Sequence, residues 1–246
     1  MEETGMERSL WAWFGILGPV QVAGWVVVIY FLLMPCISVA QVATTANEEY
    51  RTRAQRAKAA SEMAPPDRGA VEKTSEMVKS LGLHAGDTVA DVGTGVGHLL
   101  PYLKSEIGGS GTIFAVDIYQ EFIDKTRERI TAAGWQNVHT VLGTERDPKL
   151  PANRLDAAIL LDTYHHLNYP VASMRGVHRA LKSGGRLFVI DYYRSRPHPA
   201  ASPEQLRRHI RLDRDDVVKE VEAEGFHLTK TFDHMPFMYV LVFEKR

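Results

Sequence analysis

Cysteine is almost absent from this sequence, which contains Cys36 and no other cysteine among its 246 residues. A single cysteine excludes an internal disulfide. No cluster of cysteine and histidine has the spacing of a zinc site either. We therefore predict that the chain has no internal disulfide and no metal among its cofactors.

The chain also lacks an appreciable net charge, since 29 basic residues stand against 30 acidic ones. A formal charge of -1 provides no overall attraction to nucleic acid, and we expect no nucleic-acid partner. The length and a hydrophobic content of 45% are sufficient for one sizeable α/β core with an extension.

Charge is missing altogether from a long N-terminal stretch, because no charged residue occurs between Arg8 and Glu48. Residues 11–40 are largely apolar and exceed the roughly 20 residues that a helix needs to cross a bilayer. The pattern predicts that residues 1–46 contain a hydrophobic segment that acts either as a transmembrane helix or as a signal peptide.

Two features of this stretch favour different interpretations. Basic residues follow the apolar run, at four positions between residues 51 and 58, and the positive-inside bias then places the rest of the chain in the cytoplasm. Ser38-Val39-Ala40 resembles a signal-peptide cleavage site, and cleavage near Ala40 would accompany export. We predict an uncleaved membrane anchor with a cytoplasmic catalytic domain, and we keep export as the alternative.

The next two segments differ in composition. Residues 47–66 are rich in alanine and charged side chains and predict a solvated linker helix that ends at Pro65-Pro66. Residues 67–246 contain short apolar runs separated by amphipathic stretches, which predicts strands alternating with helices. Asp67 is predicted to cap the first of these helices, which extends to about Leu81.

A glycine-rich turn is the most informative feature of the third segment: Asp87-Thr-Val-Ala-Asp91-Val-Gly93-Thr-Gly95-Val-Gly97-His98. Its apolar start predicts a buried parallel strand over residues 89–92, and a helix is predicted to follow. The glycines lack the Cβ atoms that would prevent tight turning and close approach of a ligand to the backbone. Together with the unpaired N–H groups at the start of the helix, they predict a nucleotide-binding turn.

The spacing of this turn separates two classes of ligand. A dinucleotide site has the pattern G-x-G-x-x-G, whereas this turn has G-x-G-x-G, preceded by Asp91 and followed by His98 where the third dinucleotide glycine belongs. A second predicted strand, residues 112–116, is followed by Asp117. A carboxylate at that position can accept the ribose hydroxyls of either cofactor.

The whole pattern, D-V-G-T-G-V-G followed by F-A-V-D-I, resembles the class I S-adenosylmethionine-dependent methyltransferases. The resemblance covers residues 67–246 and implies a Rossmann-like seven-stranded α/β sheet with a terminal antiparallel hairpin, here residues 226–243. The predicted fold class is this methyltransferase sheet plus the N-terminal transmembrane helix.

The resemblance also implies that S-adenosylmethionine is the cofactor and that a defined set of residues binds it. Thr144 and Glu145 occupy the position where many family members have an acid that contacts adenine. The predicted cofactor-binding residues are Asp91, Gly93, Gly95, Gly97, Asp117, Ile118, Thr144, Glu145 and Asp162.

The fourth predicted strand, residues 157–161, ends in Asp162-Thr-Tyr164-His165-His166, and ligands of open α/β sheets bind at the carboxyl ends of strands. A D-x-Y-H-H run resembles one bacterial subgroup of the family. Histidine titrates near neutrality, so we predict that His165, or else His166, removes or orients a proton of the acceptor. The alternative, that both are structural residues at a helix start with partners in the backbone or water, stays open. Tyr164 is a further catalytic candidate that could equally be a packing residue.

These features predict direct in-line transfer of a methyl group to a small-molecule or lipid-soluble acceptor, with the membrane as the other partner. Two alternatives stay open at this point. One is a noncatalytic membrane-anchored cofactor-binding protein, and the other is a nicotinamide oxidoreductase, which the glycine spacing and the terminal hairpin disfavour.

Overall fold

The computed structural model describes residues 41–198, 201–233 and 235–246. The predicted membrane anchor and the alternative signal peptide with its cleavage site fall on residues outside these ranges. Within the described ranges, no helix has both the length and the apolar character needed for a membrane span.

Seven strands form one mixed sheet in the spatial order β3-β2-β1-β4-β5-β7-β6. The first five strands are parallel to one another, whereas β7 lies antiparallel between β5 and β6. This is the predicted Rossmann-like sheet with its terminal antiparallel hairpin. The strands are β1 Thr88–Val92, β2 Thr112–Asp117, β3 Val138–Leu142, β4 Leu155–Leu161, β5 Leu181–Tyr192, β6 Phe226–Phe232 and β7 Met238–Lys245.

Helices cover both faces of this sheet. Within the described residues the α-helices are α1 Arg53–Glu62, α2 Arg68–Val71, α3 Thr74–Ser80, α4 Leu100–Ile107, α5 Gln120–Ala132, α6 Pro170–Ala180, α7 Pro203–His209 and α8 Arg214–Glu222. Two short 3-10 helices are Glu48–Tyr50 and Tyr164–His166. Helices α3, α4 and α5 contribute to the core on one face, and α6 and α8 contribute to the core on the other.

The middle of β4, residues 157–161, is apolar because it is buried on both faces. Along β4, Ala157 and Ile159 belong to one core and Ala158 and Leu160 to the other. Successive side chains of a strand point to opposite faces, and a strand covered twice therefore has no polar side. The continuous apolar run of β4 reflects this burial.

The predicted helix from Asp67 to about Leu81 is wrong in detail. The structure has two short helices there, α2 and α3, because Lys73 between them adopts a left-handed backbone with φ +50°. Asp67 makes no capping hydrogen bond with its side chain. The break between the helices allows α2 to carry Arg68 toward the carboxyl ends of the strands.

Residues 41–66 lie against the α/β sheet domain. Ala43 and Ala46 are buried, and the N–H of Val42 donates to the carbonyl of Asn168. In α1, Arg56 makes two hydrogen bonds to the carboxylate of Glu121, at 2.9 and 3.1 Å. The predicted helix is present and has no buried residue, while Arg56 and the residues before the helix contact the domain.

Candidate functional site

The carboxyl ends of β1, β2 and β4 meet at one edge of the sheet and surround a cavity. The connections after β1 and β4 leave in opposite directions along the sheet, and such a switch point is where open α/β sheets bind ligands. The strands bring Asp91, Asp117 and Asp162, far apart in sequence, to the lining of this cavity. We call it the strand-end cavity.

The glycine-rich turn forms one wall of the strand-end cavity. The N–H groups of Gly93 and Thr94 both donate to the carbonyl of Val116, at 2.8 and 2.9 Å, which fixes the turn to β2. Gly93 and Gly95 have φ values of +80° and +55°, a region that favours glycine. Both glycines line the cavity.

Gly97, unlike Gly93 and Gly95, does not line the strand-end cavity. It also has a positive φ, +77°, but a Cβ atom there would lie 2.9 Å from Leu100 Cδ1 and 3.3 Å from Arg129 Cδ. The structure therefore gives it a role in packing the turn against its own helix, while its predicted contact with the cofactor stays a prediction.

Asp117 is held in place by the backbone around it. One carboxylate oxygen accepts the N–H of Gly95 at 3.0 Å, and the other accepts the N–H of Tyr119 at 3.0 Å. Only 7% of the residue is exposed, and this burial raises its pKa to about 6. Each oxygen retains a second lone pair, so the carboxylate can also accept ligand hydroxyls.

Asp91 is buried more deeply, with 2% of its surface exposed. Its carboxylate accepts a hydrogen bond from Thr94 Oγ1 at 2.7 Å. Burial raises the pKa of Asp91 to about 7 even though this hydrogen bond opposes the shift. A cation bound in the cavity would favour the ionised form of both Asp91 and Asp117.

The affinity for the predicted cofactor S-adenosylmethionine is expected to rise as the pH increases from about 5 to about 7. Binding a cation near Asp91 below its pKa of about 7 requires loss of a proton, which lowers affinity by up to about tenfold for each pH unit. Calorimetric titration across this range measures the slope. Asp91→Asn should bind more weakly with a smaller slope, and a flat wild-type profile would contradict the prediction.

Asp162 follows β4 in a backbone conformation that is uncommon for a residue other than glycine, with φ +54°. Strained positions of this kind are frequent at ligand sites. Its carboxylate lies 2.9 Å from Arg68 Nη2, and Arg68 Nε lies 2.9 Å from Glu72 Oε1. Arg68 also lines the cavity, but these two carboxylates neutralise its charge.

The residues predicted near adenine and ribose also lie at this cavity. Ile118, Thr144 and Glu145 are all part of the lining. Glu145 accepts a hydrogen bond from Asn168 Nδ2 at 2.8 Å. The structure thus brings together every predicted cofactor-binding residue except Gly97.

The two histidines after β4 have different environments. His166 lines the strand-end cavity, whereas His165 is 3% exposed and lies behind it. Nδ1 of His165 is 2.7 Å from Asp191 Oδ1. Burial lowers the pKa of His165 but this carboxylate outweighs it, so the net shift is upward. Burial and the neighbouring histidines lower the pKa of His166 well below its ordinary value.

Tyr164 lies away from the strand-end cavity. Its side chain belongs to the core on the face covered by α6 and α8, and its hydroxyl donates to Glu220 Oε2 at 2.8 Å. The geometry supports the packing interpretation of Tyr164.

Sequence reasoning missed the residues that cover the cavity from the N-terminal side. Asn47, Tyr50 and Met63 all contribute to its lining. The ring of Tyr50 packs edge-on against Phe122 and His166, with centroids 5.7 and 5.4 Å apart. No pattern in the sequence of this predicted linker indicates that its side chains line a cavity.

The lining suits a cationic nucleoside better than a dinucleotide. Three aspartates surround the glycine turn, and the guanidinium of Arg68 is already paired with carboxylates. A pyrophosphate would meet these negative charges, whereas a sulfonium and an ammonium group would be attracted to them. The residues present therefore fit S-adenosylmethionine.

Comparison with known proteins agrees with this assignment. Residues 90–189 match a family model described as a methyltransferase domain. The match begins in β1 and ends in β5, so it contains the glycine turn and the ends of β2 and β4. Residues 90–189, less than half of the chain, therefore match a methyltransferase domain, and the predicted resemblance to the S-adenosylmethionine-dependent methyltransferases is confirmed.

Two curated relatives match different lengths of this chain. Ubiquinone/menaquinone biosynthesis C-methyltransferase UbiE of Chromobacterium violaceum is 28% identical over 111 residues, 45% of each protein. Protein-L-isoaspartate O-methyltransferase of Ignicoccus hospitalis is 31% identical over 84 residues, 34% of this chain and 40% of the relative. The chain thus spans less than half the length of these curated relatives.

A solved structure gives wider coverage. A SAM-dependent methyltransferase from Aquifex aeolicus superposes with a TM-score of 0.71 at 24% identity, covering 77% of this chain and 98% of that one. At this identity the similarity establishes the fold. Family and fold together imply S-adenosylmethionine as the cofactor, as predicted.

Proposed function

We propose that this chain transfers the methyl group of S-adenosylmethionine directly to a small-molecule or lipid-soluble acceptor. The observation that carries the proposal is the convergence of Asp91, Asp117 and Asp162 with the glycine turn on the strand-end cavity. That convergence lies within the part of the chain that matches the methyltransferase domain. The similarities support neither a nicotinamide oxidoreductase nor a noncatalytic cofactor-binding protein.

Different residues of the chain bind different parts of the cofactor. Asp117 accepts the ribose hydroxyls, and Gly93 and Gly95 permit close approach to the backbone. Asp91 and Asp162 place negative charge around the positively charged methionine portion. Ile118, Thr144 and Glu145 border the space assigned to adenine and ribose.

Direct transfer requires alignment more than covalent assistance from the protein. S-adenosylmethionine supplies an activated methyl group on a sulfonium sulfur. The protein's contribution is to hold an acceptor in line with it, and such positioning can supply several kcal/mol, on the order of 7 or more in favourable cases. The cover formed by Asn47, Tyr50 and Met63 restricts access of water to the cavity.

His166 is the histidine placed to act on an acceptor in the cavity. The side-chain amide of Asn47 donates to the carbonyl of His166, and its Oδ1 lies 2.9 Å from His166 Nδ1. Since that oxygen can only accept, Nδ1 carries the proton of the neutral ring. Nε2 is then unprotonated, and we propose that it receives or orients the acceptor's proton, with His165 behind it as the second candidate.

The acceptor is proposed to be apolar or partly aromatic. A second cavity shares Arg68 with the strand-end cavity. Most of its lining is apolar or aromatic, including Tyr192, Met235 and Phe237, but Asp67, Glu72 and His198 also belong to it. This surface suits a flat, apolar molecule better than a charged one. The relatives named for ubiquinone and menaquinone biosynthesis make quinol precursors the first acceptors to test.

Membrane attachment through the N-terminal segment is part of the proposal and depends on the sequence pattern alone. An anchored enzyme with a cytoplasmic catalytic domain would meet lipid-soluble acceptors at the bilayer. Protease treatment of sealed spheroplasts tests the topology. Digestion of the catalytic domain from outside, or a mature N-terminus at Gln41, would favour the exported form instead.

The function is tested by incubating the full chain in detergent with S-adenosylmethionine and a panel of quinol, phenol and thiol acceptors. Release of S-adenosylhomocysteine is expected with at least one acceptor. For a hydroxyl acceptor, His166→Ala should lower turnover by about 10² to 10⁴ while cofactor affinity changes little. Cofactor binding without turnover on any acceptor would favour the noncatalytic alternative, and full activity of both His165→Ala and His166→Ala would remove the pair from catalysis.

A further inference from the structure

Three histidine side chains meet next to the strand-end cavity although only two of them are neighbours in sequence. His165 and His166 follow β4, and His209 ends α7. The rings of His165 and His166 both contact that of His209, with centroids 4.9 and 5.2 Å apart. One nitrogen of each histidine lies within 4.8 Å of a nitrogen of the other two. We call this group the histidine cluster.

The hydrogen bonds of the cluster leave lone pairs available. Nδ1 of His165 faces a carboxylate oxygen of Asp191, and Nδ1 of His166 faces the amide oxygen of Asn47. Each partner is an acceptor, so each Nδ1 carries the ring proton and each Nε2 is a free base in the neutral ring. Unprotonated imidazole nitrogen is the form that binds transition metals.

One of these lone pairs has no hydrogen-bond partner. Nε2 of His165 is buried and unpartnered among the described residues, in a residue that is 3% exposed. Leaving a buried polar atom unsatisfied costs about 1 to 3 kcal/mol. The neutral ring of His166 cannot donate to this nitrogen, because its proton is on Nδ1 and faces Asn47. A bound cation would satisfy the nitrogen.

The spacing of the three rings is close to that in a three-histidine metal centre. Metal–nitrogen distances of about 2.0 to 2.1 Å with tetrahedral angles place imidazole centroids about 5 Å apart. The two distances to His209 already have this value. The centroids of His165 and His166 are 4.1 Å apart, so this pair must open by roughly 1 Å to bind an ion tetrahedrally.

Asp191 orients the ring of His165 through a hydrogen bond, as carboxylates beside metal-binding histidines commonly do. Its carboxylate accepts the backbone N–H groups of His165 and Tyr192, at 3.1 and 2.8 Å, as well as the ring of His165. The residue is 1% exposed and is therefore fixed in position. A carboxylate that orients a ligating histidine raises its basicity and the affinity of the site.

We propose that the histidine cluster binds a divalent transition-metal ion through His165, His166 and His209. Imidazole ligands suit zinc, cobalt, nickel, copper and iron, and three protein ligands leave a coordination position open. Because His166 lines the strand-end cavity, that position can face an acceptor held there. A bound ion would occupy Nε2 of His166, so ion binding and the proposed proton transfer at that nitrogen are alternatives. Any action of the ion on the acceptor depends on the proposed methyl transfer, but binding of the ion does not.

The test is a titration of the full chain with Co²⁺, followed by visible absorption, after treatment with a chelator and without a histidine tag. We expect one Co²⁺ per chain, displaced by Zn²⁺, together with a rise in melting temperature. His166→Ala and His209→Ala should each weaken binding by more than about 100-fold, and Asp191→Asn by about 10 to 100-fold. His84→Ala, at an exposed histidine, is the matched control and should bind as the wild type does.

Absence of a stoichiometric site for Co²⁺ or Zn²⁺ would overturn the proposal. So would equal affinity in the wild type and in a folded His209→Ala variant, whose melting curve without metal verifies folding. The titration contains neither S-adenosylmethionine nor acceptor, so its failure leaves the proposed methyl transfer intact. Conversely, Co²⁺ binding in an enzyme with no methyl transfer would support the metal site alone.

Discussion

Replacement of Asp117 by alanine is expected to weaken S-adenosylmethionine binding by about 1 to 3 kcal/mol, or roughly 5-fold to 150-fold in Kd. The carboxylate lies at the end of β2 and lines the strand-end cavity, where it can accept two ribose hydroxyls. Its oxygens are oriented by the N–H groups of Gly95 and Tyr119. Calorimetric titration of the wild type and variant measures the change.

The same backbone contacts require a control for folding. Asp117→Ala also removes the acceptor for the Gly95 N–H, which could loosen the glycine turn without involving the ribose. Asp117→Asn retains an acceptor oxygen and the side-chain volume, so it should bind with intermediate affinity if ribose contact dominates. Unchanged affinity in a folded Asp117→Ala variant would remove Asp117 from the site.

The features visible in the sequence were those with local causes. An apolar run such as that of β4 is buried on both faces, and a glycine turn marks the end of β1 because its positive φ values favour glycine. Parallel pairing then places the ends of β1, β2 and β4 at one edge of the sheet. The fold and most of the cofactor-binding residues therefore follow from short stretches of sequence.

The features that were missed arise from contacts between distant parts of the chain. Asn47 bonds to His166 over a separation of 119 residues, and no local pattern predicts that an alanine-rich segment covers a cavity. His209 approaches His165 because the polar segment after β5 folds back toward β4. A spacing rule for metal ligands cannot detect a cluster assembled in this way.

The packing of the glycine turn leads to a second large expected effect. Replacement of Gly93 by alanine should destabilise the fold by about 1 to 3 kcal/mol and abolish tight cofactor binding. Its φ of +80° disfavours alanine, and the new Cβ would lie 2.3 Å from Thr163 Cγ2 and 2.4 Å from Oγ1. Rotation of the threonine cannot remove the clash, because the Cβ of Thr163 itself lies 2.9 Å away.

Urea unfolding and calorimetric titration of Gly93→Ala separate loss of stability from loss of binding. Gly109→Ala is the matched control, since a Cβ there meets nothing within 4 Å and should leave both quantities unchanged. Thr163→Gly combined with Gly93→Ala should recover part of the stability, because it removes the clash but not the backbone strain. If Gly93→Ala were as stable as Gly109→Ala and bound S-adenosylmethionine normally, the close packing of β1 and β4 at this turn would not matter for the site.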